Sequence, residues 1–285
     1  MATLPMQHPD AAIVELERVG REYRFKAVEM GTAIGEEELA DPKFRPVLRR
    51  MQELKVVVFA HPNTQGSGGR LDCYYLTNLI GNPLDTTIMV GKLMFSGALD
   101  ELKDLKMLLA DGGGFLPYQI GRFEYGHAVR ADTASVTKSK PLQMFKQFYF
   151  DALAHDPQAI RHLLDRVGSE RVVIGTDSPY DMGEEHPRER LESVPGLTEK
   201  EREDVSYRSA LSLFLEANCD GDSREPFFVE RPDCTASRPT DIVGDVFRQV
   251  QPVSIWIQHH ASEEPCRSTA LKTSRAITRL SASIP

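Results

Sequence analysis

Val172-Val173-Ile174-Gly175-Thr176-Asp177-Ser178-Pro179 is a short apolar run that ends on a carboxylate and then a Ser-Pro turn. An uninterrupted apolar run closed by Gly or Pro reads as a strand buried on both faces, the kind found in parallel sheets. Two earlier stretches share the design: Val56-Val57-Val58-Phe59-Ala60-His61-Pro62 and Met107-Leu108-Leu109-Ala110-Asp111-Gly112-Gly113-Gly114. A polar side chain at the carboxyl end of such a strand is where α/β barrels place their chemistry. Three of them, separated by helix-like segments, predict a metal or acid/base site assembled from distant strands.

Between and around these runs the chain alternates strand-like and helix-like stretches from residue 9 to about 215. Ile13, Leu16, Val19 and Tyr23 fall at helical spacing over Pro9–Arg24, with Pro9 suited to the first turn. Asp41-Pro42 opens a second helix, Asp41 as N-cap, with Val47, Leu48, Met51 and Leu54 as its buried stripe. Further helices are expected over 71–80, 86–95, 115–129 and 157–167, and an irregular polar stretch over 138–145. Strands are expected at 25–30 and 148–151, and Leu4-Pro5 can end one more. Six strands alternating with helices imply a parallel sheet, while a closed barrel takes eight. From Asp220 the composition turns to Asp, Arg, Pro and Ser. The expected organisation is a barrel domain over 1–218 and a weakly structured tail over 219–285.

Composition narrows the function. The 285 residues are 41% hydrophobic and 27% charged, with formal net charge −8 and no basic run. That balance argues against nucleic acid or an anionic membrane as partner. No apolar stretch is long enough to span a bilayer. Met1–Gln7 has neither the charged nor the apolar region of a secretory signal. The four cysteines (Cys73, Cys219, Cys234, Cys266) lack Cys-x-x-Cys spacing, so reduced thiols and a cytosolic setting are expected.

Seven motifs in order, LPMQHPDAAIVEL, LADPKFRPV, FAHP, YYLTNLIGNPLDTT, DGGGFLPYQIGR, FYFDALAHDP and GTDSPYDMG, resemble the amidohydrolase-related decarboxylases, typified by aminocarboxymuconate-semialdehyde and γ-resorcylate decarboxylases. The resemblance covers about Leu4 to Leu215. It implies a (β/α)₈ TIM barrel of the metal-dependent hydrolase superfamily holding one divalent metal, most often zinc, with manganese as the alternative, and no organic cofactor. By the same resemblance His61 and Asp177 take metal-ligand positions, and Asp111 stands where the family's His-Gly-Gly-Gly places an acid/base histidine. Arg122 and Arg130 match positions that reach the substrate carboxylate from a neighbouring subunit, so a homodimer acting on a small carboxylate is implied. The family's His-x-His strand has no counterpart here, so an N-terminally truncated barrel with about six of eight strands is expected. His259-His260 do not replace that pair, because adjacent residues on a strand point to opposite faces.

Simpler roles stand beside these. Asp111 is equally a capping carboxylate, and an unperturbed Asp titrates about two and a half units below His. Arg122 and Arg130 suit a helix-face salt bridge. His155-Asp156-Pro157 reads as a helix opening. Gly112-Gly113-Gly114 lacks the lysine and spacing of a phosphate loop. The leading expectation is a metal-dependent, non-oxidative carboxy-lyase for a small aromatic or muconate-type acid. The alternatives are a catalytically inactive remnant or dimerisation partner, and a metal-dependent hydrolase of the same superfamily.

Overall fold

The computed structural model describes residues 1–63 and 69–215; the expected boundary at 218 and the segment 219–285 lie outside them. Eight strands occur among the described residues: β1 (Ala2–Thr3), β2 (Ala27–Gly31), β3 (Ala33–Ile34), β4 (Glu37–Glu38), β5 (Val57–His61), β6 (Met107–Leu109), β7 (Phe148–Asp151) and β8 (Val172–Val173). Six of them, β1, β2, β5, β6, β7 and β8, form one sheet whose spatial order is the chain order, parallel at every pairing. Sequential parallel neighbours joined by helices are the design of a β/α barrel. The described residues form a six-stranded arc of that design. β3 and β4 make a separate antiparallel hairpin.

Register and side-chain alternation give the sheet two faces. On one, Val28, Met30, Val58, Ala60, Met107, Leu109, Phe148, Phe150 and Val172 are buried in the main core beneath the helices. On the other, Ala27, Val57, Leu108, Tyr149 and Val173 form a second apolar layer capped by Leu213 of the Ser209–Leu215 helix. The continuous apolar runs follow from this double burial. Phe145, Phe148 and Phe150 are each at most 2% exposed, and burying such a side chain stabilises by roughly 1.5–3 kcal/mol.

Most helices match the periodicity. Pro9–Tyr23 buries Ala12, Leu16, Val19 and Gly20, although Tyr23 turns outward. Pro157–Val167 begins as expected, with the Asp156 carboxylate accepting from the Ala159 N–H at 3.0 Å. Asp41 differs: its carboxylate accepts from the Glu38 N–H, and the Arg45–Glu53 helix starts after a short Pro42–Phe44 turn. The helix expected over 86–95 begins earlier, at Asn82, with Pro83 in its first turn. The expected 71–80 helix shrinks to one π-helical turn, Thr77–Gly81. Leu79 and Ile80 stay exposed there, so no core contact supports a longer helix. Conversely, Pro141–Phe145 is helical rather than irregular because Met144 and Phe145 bury completely. Cys73 is disulfide-bonded, not the reduced thiol expected, which removes one argument for a cytosolic setting. No described helix is long and apolar enough to cross a membrane.

Loss of the Asp156 cap is expected to cost about 1 kcal/mol. Urea denaturation of Asp156→Ala should show a lower midpoint at unchanged slope, and an unaltered midpoint would contradict the cap.

Candidate active site

Strand register carries specific side chains to the carboxyl end of the sheet. Glu29, Phe59 and His61 share a face with Leu108 and Tyr149, since Glu29 pairs with Phe59, Gly31 with His61, and Phe59 with Leu108. Asp151 ends β7 on that face, opposite Val173. His61 is half-buried, and its Nδ1–H donates to the Pro62 carbonyl at 2.9 Å. In the neutral ring that bond leaves the Nε2 lone pair available.

The loops after β6, β7 and β8 bring in the other groups by an uncommon backbone geometry. Asp111, His155 and Asp177 have φ of +55°, +53° and +49°. Non-glycine residues in this region cost about 1–3 kcal/mol each and gather at functional sites. Here one such residue follows each of three consecutive strands.

Electrostatics tie them into one group. Burial pushes the Asp111 carboxyl above its ordinary range; His61 and His155 counter the rise and Asp177 adds to it. Burial also raises Asp177, against the pull of His61 and His155, with Asp181 reinforcing it. Glu29 is raised by burial and opposed by His61. At the rim, the Tyr75 hydroxyl donates to Asp181 at 3.4 Å. Beneath them Asp151 is fully buried, and desolvation, with the Asp111 charge nearby, pushes its carboxyl up to about 7.

The structure thus brings His61, Asp111 and Asp177 together and adds His155, Asp151 and Tyr75. The Asp156-Pro157 helix opening is real, but the same turn delivers His155 to the site. Asp151 was legible only as a strand end. Arg122 and Arg130 lie elsewhere, exposed on the Leu116–Val129 helix and at its C-cap, with Arg130 paired to Asp132 at 2.9 Å.

One imidazole and one carboxylate are suitable nitrogen and oxygen donors for a divalent ion. They do not close a site: among the described residues no group of three or more His, Cys, Asp or Glu side chains converges closely enough to hold a metal. The donor set among the described residues is partial.

A carboxyl raised in the folded state holds a proton that the unfolded chain has already released. Stability therefore falls as pH rises between the two pKa values, by about 1.4 kcal/mol per unit for one fully shifted group. For Asp151 the window runs from 3.8 to about 7. The denaturation midpoint should fall across that range, and fall less in Asp151→Asn. A midpoint that rises with pH, or identical slopes, would overturn this assignment.

Comparison with known proteins bears on the fold and the family. The 2-amino-3-carboxymuconate-6-semialdehyde decarboxylase of Dictyostelium discoideum is 32% identical over 214 residues, 75% of this chain and 60% of that protein. The enzyme of the same name from Caenorhabditis elegans is 34% identical over 164 residues, 57% of this chain and 41% of that one. The chain therefore spans between two fifths and three fifths of these relatives. The crystal structure of a dihydroxybenzoic acid decarboxylase from Polaromonas sp. JS666, with bound manganese and the inhibitor 2-nitroresorcinol, matches with a TM-score of 0.67 at 24% identity, covering 74% of this chain and 67% of that one. At that identity the match speaks for the fold alone. With residues 1–214 matching the family as a whole, the chain belongs to the amidohydrolase family.

Proposed function

We propose that the chain is built for the chemistry of its decarboxylase relatives: non-oxidative loss of CO₂ from a small aromatic or muconate-type carboxylic acid. The observation that carries this reading is the placement of Asp111. It sits at the carboxyl end of the sheet, in the fields of His61, His155 and Asp177, with its carboxyl raised by burial. A raised carboxyl retains a protonated fraction nearer neutrality and can serve as a general acid where an ordinary Asp would be a poor one. Asp111 delivers its proton to the ring or vinylic carbon bearing the carboxylate. The bond to that carboxylate then breaks, its electron pair returns to the π system, and CO₂ leaves. The net change is one carboxylate plus one proton giving one C–H bond and CO₂, and solvent reprotonates Asp111.

A divalent metal, zinc or alternatively manganese, belongs to the proposal, with His61 and Asp177 as two of its donors. No organic cofactor is required by this chemistry. We assign Arg122 and Arg130 to a partner subunit's substrate, since a guanidinium fork suits a carboxylate. Support comes from the surface around them. Ile80, Leu84 and Ile88 are exposed at four-residue spacing, and Tyr118, Tyr125 and Val129 are exposed on the helix that carries Arg122. These two helical segments adjoin through Phe95 and Phe123, 5.7 Å between ring centres. Apolar rows of this kind suit a self-complementary contact. The incomplete donor set favours a second reading, a non-catalytic member that retains the fold and the dimer surface.

Assaying the full chain with zinc or manganese against a panel of aromatic and muconate-type carboxylates separates the readings. The proposal expects CO₂ release, loss of bound metal in His61→Ala, and a fall of about 10²-fold or more in kcat for Asp111→Asn. No CO₂ from any substrate, together with no retained metal, would leave the non-catalytic reading. Sedimentation should show a dimer that Tyr118→Glu dissociates; a wild-type monomer would remove the role of the two arginines.

A further inference from the structure

Asp151 is a carboxylate that the proposed chemistry does not use, at 6% exposure, at the top of the inner sheet face. Its Oδ1 accepts from the Gly112 N–H at 2.8 Å and the Leu153 N–H at 3.1 Å, and its Oδ2 from the Asp111 N–H at 3.2 Å. Three successive residues, Asp111, Gly112 and Gly113, have φ of +55°, +61° and +77°. Such a turn aims neighbouring N–H groups at one point, a concave seat for an anion. Here the seat is filled by the protein's own side chain.

The rest of the turn is gripped by shape. A Cβ on Gly113 would lie 2.6 Å from the Phe150 ring, and one on Gly114 would lie 2.2 Å from the Pro83 carbonyl oxygen. The Phe115 N–H donates to Thr87 Oγ1 at 2.9 Å. Those contacts hold residues 113–115. The side chain that holds the Asp111 and Gly112 amides is Asp151. Its own freedom is limited from β8, because a Cβ on Gly175 would lie 2.9 Å from the Asp151 Cβ.

We propose that Asp151 is a positioning residue: its carboxylate clamps the turn after β6 in its left-handed form and so aims the Asp111 side chain at His61 and Asp177. The left-handed conformation costs an aspartate about 1 kcal/mol or more. Without its two N–H contacts the turn relaxes and Asp111 moves away from the reacting carbon. This rests on the reading of Asp111 as proton donor. Asparagine keeps the size of Asp151 but presents an NH₂ group to one of the N–H donors, so it breaks part of the clamp without opening a cavity.

The test is amide exchange and carboxyl chemical shift by NMR on the isotope-labelled full chain, wild type against Asp151→Asn, alongside kcat and KM. In the variant, Asp111 and Gly112 amides should exchange about ten-fold faster or more while core amides are unchanged. The Asp111 carboxyl resonance should shift, and kcat should fall about ten-fold or more with KM nearly constant. If the variant fails to fold, a hydrogen-bond coupling between the Gly112 nitrogen and the Asp151 carboxyl carbon in the wild type decides instead, present if the clamp exists and absent if it does not. Unchanged exchange and an unchanged Asp111 resonance overturn the proposal, as does an equal effect on all amides. Should the wild type release no CO₂, the decarboxylase reading fails while exchange and the Asp111 resonance still decide the clamp.

Discussion

A carboxylate buried beneath a left-handed turn is the constraint on which the site depends. Asp151 reaches that position because β7 pairs in register with β6 and β8, and the period of two puts its side chain on the inner face. A one-residue slip would turn Asp151 toward the helices and leave the Asp111 and Gly112 amides without their acceptor. Sheet register, loop geometry and the electrostatics of the site are therefore one linked arrangement. The apolar layer of Val57, Leu108, Tyr149 and Val173 below holds the register.

Burial raises both Asp151 and Asp111; the Asp111 charge adds to the cost of ionising Asp151, and the Asp177 charge adds to that of Asp111. On the proposed reading, this answers the chemical difficulty of Asp111 standing where the resemblance implies a histidine. An exposed Asp is a spent acid at neutral pH, whereas one held among apolar walls and a second carboxylate keeps its proton longer. Three non-glycine residues in the left-handed region, one after each of β6, β7 and β8, mark where folding energy is diverted from stability to geometry.

Much of the sheet was legible in the sequence because parallel strands buried on both faces leave uninterrupted apolar runs, and all six were read in order. Helices with strong stripes, such as Arg45–Glu53, were legible for the same reason. The 71–80 segment was misread because helix-like sequence says nothing about whether a core lies opposite, and Leu79 and Ile80 stay exposed. His61, Asp111 and Asp177 were readable as polar residues ending apolar runs. His155 was hidden, since the signal at 155–157 was already explained by a helix opening. Asp151 was hidden more deeply: its value lies in the Asp111 and Gly112 amides that only folding brings to it, and no side-chain spacing records that. The family match over residues 1–214 spans every one of the seven motifs, so the ordered motif set rather than any single residue carried the family.

The central claim is that this site protonates a carboxylate-bearing carbon and releases CO₂. The most direct measurement uses 2,6-dihydroxybenzoate labelled at its carboxyl carbon, incubated in heavy water with the manganese-loaded full chain, with gas and product analysed by mass spectrometry and NMR. The account predicts labelled CO₂ and a product carrying one deuterium at the vacated carbon, both lost in Asp111→Asn. Labelled CO₂ formed equally well by Asp111→Asn would contradict it.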